Sequence, residues 1–140
     1  MANAIYPLYK QALLSGTAGQ NLNVDTAQDG PYCALVDTGN YIYSASHQFY
    51  TSLTGSIVAT PDQRITAPTV LQGTFDGGDL TFLTVTGNSI EALVVYRHNA
   101  GPSSTWPLVM YYDQPGGGLP VVPNGGNITV TWNPAGIFTL

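Results

Sequence analysis

Charged residues are scarce in this chain of 140 residues. It carries 8 Asp and Glu and 3 Lys and Arg, so charged side chains make up 8% of the sequence, whereas an ordinary soluble domain has about 25%. The three cations, Lys10, Arg64 and Arg97, lie far apart in the sequence, and the formal net charge is −5. Because nucleic-acid-binding domains present clustered basic side chains to the phosphates, we expect no direct binding to DNA or RNA.

Cysteine and long apolar runs are also scarce. The single Cys33 excludes an intramolecular disulfide, and its place in the β-prone run Tyr32–Val36 favours a small buried hydrophobe. No run approaches the roughly 18 apolar residues that a transmembrane helix needs. The start of the chain, Met1–Ile5, lacks the basic and apolar regions of a secretion signal. The sequence therefore predicts a protein that is made in the cytoplasm and has no membrane partner.

A short helix is predicted near the N-terminus. Apolar side chains recur at the one-face spacing of an amphipathic helix, at Ile5, Leu8, Tyr9, Ala12 and Leu13. Pro7 is tolerated only in the first turn, and Gly16 is a good residue to end a helix. The helix should therefore begin near Tyr6 or Pro7 and stop before Gly16. Because small and polar residues follow as far as Gly30, we interpret residues 1–30 as a helix and a loop or arm. A helix this short is marginal alone, so its apolar face should dock either on its own domain or on a neighbouring subunit.

Residues 31–140 have the pattern of an antiparallel β domain. Short β-prone segments recur at roughly ten-residue spacing, with breaks rich in Gly, Asn and Pro, which is typical of a sandwich or barrel. The predicted strands are Tyr32–Val36, Thr69–Phe75, Leu80–Val85, Ile90–Arg97, Trp106–Tyr112, Leu119–Val122, Ile128–Trp132 and Ile137–Leu140. The predicted fold is a single all-β domain. It is an antiparallel β-sandwich or jelly-roll-like barrel of about eight strands, with a short N-terminal helix.

Two segments depart from the alternation of apolar and polar residues along the strands. Ala92–Tyr96 is apolar at every position, which predicts a central strand covered on both faces. In Ser46–Leu53, the spacing of Phe49 and Leu53 favours one or two helical turns.

The depletion of charge is strongest at the C-terminal end. After Arg97 the only charged residue is Asp113, so the strands of this part lack the charges that usually protect edge strands from pairing. We expect this part, together with the N-terminal helix, to be covered by other subunits.

No motif carries clear catalytic chemistry. Asp37-Thr38-Gly39 follows a hydrophobic strand, as in aspartic proteases, and a homodimer could bring two Asp37 carboxylates together. The apolar-apolar-Gly element and the Gly-rich flap that such proteases also need have no convincing counterpart in this sequence, so the turn interpretation is favoured.

Asp76–Asp79 offers too few oxygens for Ca²⁺ and is interpreted as a hairpin loop. His47 and His98 lack partners at metal-ligand spacing. We predict a protein that is not an enzyme and uses no cofactor or metal.

Aromatic residues are comparatively abundant, with 9 Tyr, 2 Trp and 4 Phe. On an all-β scaffold they could form a sugar-binding platform, or they could lie at a protein–protein interface, where Tyr and Trp are enriched. The low charge favours an interface, because charged groups are costly to desolvate. The candidate interface residues are Ile5, Tyr6, Leu8, Tyr9, Leu13, Trp106, Tyr111, Tyr112, Trp132 and Phe138.

A series of short segments keeps a recognisable order along nearly the whole chain. The segments are Met1–Ala4, Tyr9–Leu14, Ala34–Thr38, His47–Phe49, Gly73–Asp76, Glu91–Tyr96, Leu119–Gly126, Thr129–Trp132 and Ile137–Phe138. In this order they resemble small virion structural proteins of tailed bacteriophages, most of all the capsid decoration, or cement, proteins.

The resemblance implies a small β-rich subunit on the outer capsid surface of a virion, made in the host cytoplasm. Its implied partners are the major capsid protein, which it would clamp to its neighbours, and further copies of itself, as a homotrimer. A tail-associated or head-fibre protein of the same class of virion and a carbohydrate-binding β-sandwich module are the alternatives.

Overall fold

In the part of the chain that the structure describes, the β-prone segments form three antiparallel sheets, accompanied by one short α-helix. The computed structural model describes residues 3–58, 61–114 and 118–140. The strands are β1 (Ala4–Ile5), β2 (Gly30–Val36), β3 (Gln63–Arg64), β4 (Thr69–Leu71), β5 (Thr74–Asp76), β6 (Leu80–Phe82), β7 (Ala92–His98), β8 (Leu108–Tyr112), β9 (Ile128–Val130) and β10 (Phe138–Thr139). The helix α1 spans Pro7–Leu14, and 3₁₀ helices span Tyr50–Leu53 and Ser103–Thr105. A small β-rich fold with a short N-terminal helix is confirmed.

The largest sheet has five strands in the order β1-β8-β7-β2-β3. Its centre is the long antiparallel pair of β2 and β7, whose register runs from Gly30 opposite His98 to Val36 opposite Ala92. Residues Ala92–Arg97 of β7 are all buried, so the predicted central strand covered on both faces is confirmed. Cys33 in β2 is also fully buried, and burial raises the pKa of its thiol, as expected for a structural cysteine.

The remaining strands form two smaller sheets, one in the order β10-β5-β4 and one made of β6 and β9. The predicted single strand Thr69–Phe75 is in fact the hairpin of β4 and β5, which turns at Gln72 and Gly73. The interpretation of Asp76–Asp79 as a hairpin loop is wrong, because β5 pairs with β4 and β10 while β6 pairs with β9. This loop connects two different sheets and packs tightly against Ile65. A Cβ atom added at Gly77 would lie only 2.3 Å from Ile65 Cγ2, so a larger residue would not fit there.

The β4–β5 turn predicts a stabilising substitution, Gln72→Asn. Both turn residues have positive φ, +51° at Gln72 and +80° at Gly73, as in a type I′ turn, which favours Asn-Gly. Asn adopts this conformation more readily than Gln, so the substitution should raise the free energy of unfolding by about 0.5 kcal/mol. Chemical denaturation measures the gain. The control is Gln63→Asn in extended β3, and equal effects of both substitutions would contradict the turn argument.

The N-terminal helix, confirmed within one residue of its predicted start, packs on the chain's own domain. Strand β1 pairs with β8, and the Tyr6 N–H donates to the Val109 carbonyl at 3.0 Å. The side chains of Tyr6 and Tyr9 are 0% and 3% exposed. Residues 3–14 are therefore attached to the five-stranded sheet of the same chain rather than detached from it.

The loop after the helix is also held on this domain. The buried Arg97 of β7 donates from Nε to the Asn21 carbonyl at 2.6 Å and from Nη1 to Asp29 Oδ1 at 2.9 Å. Leu22 is buried, and Arg64 forms an ion pair with Asp25 at 3.1 Å. The segment predicted as a loop or arm is thus a loop that folds back along the sheet.

Two further strand and helix predictions have opposite outcomes. The helical turn predicted within Ser46–Leu53 is confirmed by the 3₁₀ helix Tyr50–Leu53. The predicted strand Leu119–Val122 is wrong, because Val121 makes only an isolated bridge with Ile90. Pro120 within this segment and Pro123 directly after it lack the N–H donors that a longer ladder would need.

Candidate functional site

The carboxylate of Asp37, which directly follows β2, accepts hydrogen bonds from its own turn and from Asn88. Gly39 N–H donates to Oδ1 at 2.7 Å, and the side-chain amides of Asn40 and Asn88 each donate to Oδ2 at 2.8 Å. The Gly39 N–H, followed by the Asn88 amide, lowers the pKa of Asp37 despite its burial. The Asn40 N–H also donates to the Asp37 carbonyl at 3.1 Å, so the predicted turn at Asp37-Thr38-Gly39 is present.

A second carboxyl, that of the half-buried Asp62, lies next to an aromatic cluster. The hydroxyls of Tyr50 and Tyr96 both donate to Oδ2, at 2.7 and 2.9 Å. The other oxygen, Oδ1, is buried and accepts no hydrogen bond in the described part of the chain. Burial raises the pKa of Asp62, although the two hydroxyls oppose this. The cluster also holds Trp106, which stacks on Tyr96 with ring centroids 5.8 Å apart.

The raised pKa of Asp62 predicts that Asp62→Asn stabilises the protein at neutral pH. Because the folded state holds the proton more tightly than the unfolded state, ionisation of Asp62 destabilises the fold as pH rises from the ordinary Asp pKa of about 3.9 to the raised value. The neutral amide still accepts from the tyrosines and avoids the buried charge. Thermal unfolding at pH 7 and pH 3 should therefore show a gain at pH 7 that disappears at pH 3.

The control for this prediction is Asp79→Asn, which makes the same chemical change at an exposed carboxyl. A stability loss in Asp62→Asn at pH 7, or a gain that is the same at both pH values, would contradict the burial argument.

The two histidines occupy separate places and act as structural side chains. His47 Nδ1 shares a hydrogen bond of 2.9 Å with the Tyr41 hydroxyl, which in turn lies 2.7 Å from the Tyr6 hydroxyl. His98 packs against Trp106 with ring centroids 4.0 Å apart. Within residues 3–58, 61–114 and 118–140, no three His, Cys, Asp or Glu side chains are grouped so that they could hold a metal ion.

The surface feature that best fits a binding role is a groove between the helix and the β4–β5–β10 sheet. We call it the aliphatic groove; it has a volume of about 240 Å³. Its lining comprises Tyr9, Leu13, Gln20, Asn21, Leu22, Asn23, Val70, Gly73, Phe75, Phe138 and Leu140. None of these side chains is charged, although the chain as a whole carries a net charge of −5.

One wall of the aliphatic groove is the edge strand β4. It pairs with β5 on one side only, and each of its residues is exposed. Val70 is 53%, Leu71 71% and the C-terminal Leu140 64% exposed. Edge strands of soluble proteins usually carry Lys, Pro or inward charges that block pairing, and β4 carries none of these.

The ten predicted interface residues lie in different environments. Tyr6, Tyr9 and Tyr111 are buried in the chain's own core, so they offer almost no surface to a partner. The remaining seven are half-buried: Ile5, Leu8, Leu13, Trp106, Tyr112, Trp132 and Phe138. Of the ten, Tyr9, Leu13 and Phe138 come together in the aliphatic groove, whereas Trp106 belongs to the aromatic cluster above Asp62.

The most exposed apolar residues were missed because they are aliphatic rather than aromatic. Large hydrophobic side chains are exposed at Leu14, Ile42, Val70, Leu71, Leu83, Val122 and Leu140, and none of these was among the predicted interface residues. The sequence signal that could have found part of this set is the short Thr69–Leu71 segment, which has apolar residues on both faces and ends at a turn.

Comparisons with known proteins place the chain in no family. No protein-family model matches it, and no curated protein sequence is significantly similar to it. Among the helices of the described residues, none has the length and apolar character needed to cross a bilayer.

Proposed function

We propose that this protein is a structural subunit that acts by packing against other protein subunits. The observation that carries the proposal is the aliphatic groove with its uncharged edge strand β4. Val70, Leu71 and Leu140 expose more than half of their surface to water, and Val70 and Leu140 line the groove. Exposed apolar surface of this kind typically marks a protein interface. Among the described residues, no charged side chain lines the groove, so a partner could cover it without desolvating a charged side chain.

Within this role, we propose that the protein decorates the outside of a tailed-phage capsid and clamps neighbouring major capsid proteins. The support is the ordered series of segments that resembles capsid decoration proteins. A net charge of −5 is tolerable on the outside of a particle and unfavourable against packaged DNA. The proposed partners are the major capsid protein and copies of this chain in a homotrimer. A tail-associated or head-fibre position is the competing outcome.

The carbohydrate-binding alternative has less support. A sugar platform presents exposed aromatic rings, but every Tyr, Trp and Phe of this chain is buried or half-buried.

The proposed finer architecture is a β-sandwich or jelly-roll-like barrel, supported by the core residues on both faces of β2 and β7.

The proposed binding surface is tested by lysine substitutions on β4. Val70→Lys and Leu71→Lys should fold like the unmodified chain, because both positions are exposed, and should weaken binding to capsids lacking the protein at least about tenfold. Co-sedimentation with such capsids measures the binding. The matched control is Leu83→Lys, which adds the same charge at a position 68% exposed that lies outside both strand β4 and the groove lining. Unchanged binding of both β4 variants would overturn the proposed surface, and no binding by the unmodified chain would overturn the capsid role.

A further inference from the structure

A second cavity, partly open to solvent, lies between the five-stranded sheet and the C-terminal chain, away from the aliphatic groove. We call it the inner cavity; it has a volume of about 190 Å³. Its floor is the face of the five-stranded sheet that carries Leu93, Val95 and Met110, and its cover is the C-terminal chain with Val130 and Trp132. The side chains of Leu93, Val95 and Met110 are almost completely shielded from solvent, at 7%, 2% and 8% exposed.

The lining of the inner cavity is mostly apolar. Among the described residues, no charged side chain lines it, and Thr129 and Thr131 add hydroxyl groups on the cover side. The indole N–H of Trp132, the most polar atom of that ring, is directed to the Gly78 carbonyl at 3.1 Å. The Asn133 side-chain oxygen accepts from the Ala135 N–H at 2.9 Å. The cavity therefore offers a ligand mainly dispersion contacts with aliphatic and aromatic side chains.

The size of the cavity sets the size of the ligand. An apolar cavity of about 150 Å³ in another protein stays dry and admits benzene, and the inner cavity is somewhat larger. Met110 on its floor adds adaptability, because an unbranched thioether chain can fill gaps of different shapes. From the volume, lining and shielding together, we propose that the inner cavity is a binding site for one small uncharged apolar molecule of the size of a benzene ring.

The cover of the cavity is built from the less extensively paired part of the fold. On the cover side, β9 has 3 residues and pairs with β6, and Val121 joins Ile90 through an isolated bridge. On the floor side, β7 has 7 residues and is paired along both edges. Weakly paired elements of a protein unfold locally more readily than well-paired ones. The ligand therefore enters where the C-terminal segment opens.

The proposal is tested with benzene as the probe on the full-length protein, with side-chain methyl groups observed by NMR. Benzene should produce saturable shifts at Leu93, Val95 and Val130, while Val70 and Leu140 of the aliphatic groove should not move. Benzoate, which adds a charge to the same ring, should bind at least about tenfold more weakly because the site cannot stabilise a buried anion.

A cavity-filling variant, Val130→Phe, gives a second measurement, and Val70→Phe at an exposed position is its control. Val130→Phe should weaken benzene binding at least about tenfold, and Val70→Phe should leave it unchanged. The benzene-to-benzoate comparison on the unmodified chain remains decisive if Val130→Phe does not fold. Shifts that do not saturate, equal shifts at the groove methyls, or equal binding of benzoate would each overturn the site.

Discussion

Replacing Tyr6 with alanine should lower the free energy of unfolding by about 4 kcal/mol, the range found for removing a buried aromatic side chain. Tyr6 is fully buried, its hydroxyl lies 2.7 Å from that of Tyr41, and its ring packs on Tyr43 with centroids 5.2 Å apart. Because domains of this size are stable by only about 5–15 kcal/mol, the variant should be close to unfolding at moderate temperature. Equilibrium denaturation measures the loss.

Two further variants separate the causes of this loss. Tyr6→Phe removes only the hydroxyl and should cost about 1 kcal/mol, since Tyr41 keeps its contact with His47. Leu14→Ala truncates a side chain of the same helix that is 91% exposed, and it should change stability by less than about 0.5 kcal/mol. If Tyr6→Ala cost no more than Leu14→Ala, the helix would not be packed on its own domain, and the interpretation as a detached arm would be restored.

Replacing Arg97 with methionine should cost about 3 kcal/mol, because it removes hydrogen bonds from a buried guanidinium to a carboxylate and two carbonyls, each worth about 1 kcal/mol. The Arg97 side chain is 4% exposed, and its guanidinium bonds Asp29 Oδ1 and the carbonyls of Asn21 and His98. The substitution keeps much of the apolar packing while removing these hydrogen bonds. Denaturation should show the loss, and limited proteolysis should show faster cleavage within residues 15–30.

The matched variant for Arg97→Met is Asp29→Asn, which removes the charge of the partner but leaves the guanidinium its bonds to the two carbonyls. Because the Asp29 side chain is 45% exposed, this change should cost clearly less than Arg97→Met. A stability of Arg97→Met equal to that of the unmodified chain would contradict the role of Arg97 as the anchor of the loop.

Much of the local structure could be predicted from the sequence, because local patterns determine it. The apolar spacing around Tyr9 and the positions of Pro7 and Gly16 predicted the helix, which spans Pro7–Leu14. The uninterrupted apolar run Ala92–Tyr96 predicted the strand at the centre of the five-stranded sheet. In both cases the residues that fix the element lie within a few positions of one another.

The parts that could not be predicted depend on contacts between distant residues. Arg97 bonds Asn21 and Asp29, which lie 76 and 68 residues away in the sequence. No local pattern indicated these contacts, so the sequence did not decide between a loop and an arm for the segment before Gly30. The turn at Gln72 was missed because Gln rarely adopts positive φ. The pairing of β6 with β9 rather than with β5 is a similar case, since no local pattern specifies the partner of a short strand.

The candidate site was predicted only in part, for a related reason. Composition indicated a charge-poor chain with surface for partners, and Leu13 and Phe138 do meet in the aliphatic groove. The prediction relied on aromatic residues, but the core uses these rings, which stack with one another, as Tyr50, Tyr96 and Trp106 do. The exposed apolar residues at β4 became visible only once the hairpin had placed that strand at a sheet edge.

The proposed role as a capsid-decorating subunit is tested most directly by a cryo-EM reconstruction of the virus particle assembled in cells that make this chain. The account predicts density for the chain on the outer capsid surface, bridging neighbouring major capsid proteins, with Val70, Leu71 and Leu140 covered by a neighbouring subunit. Density confined to the tail, or a particle without this chain, would contradict it.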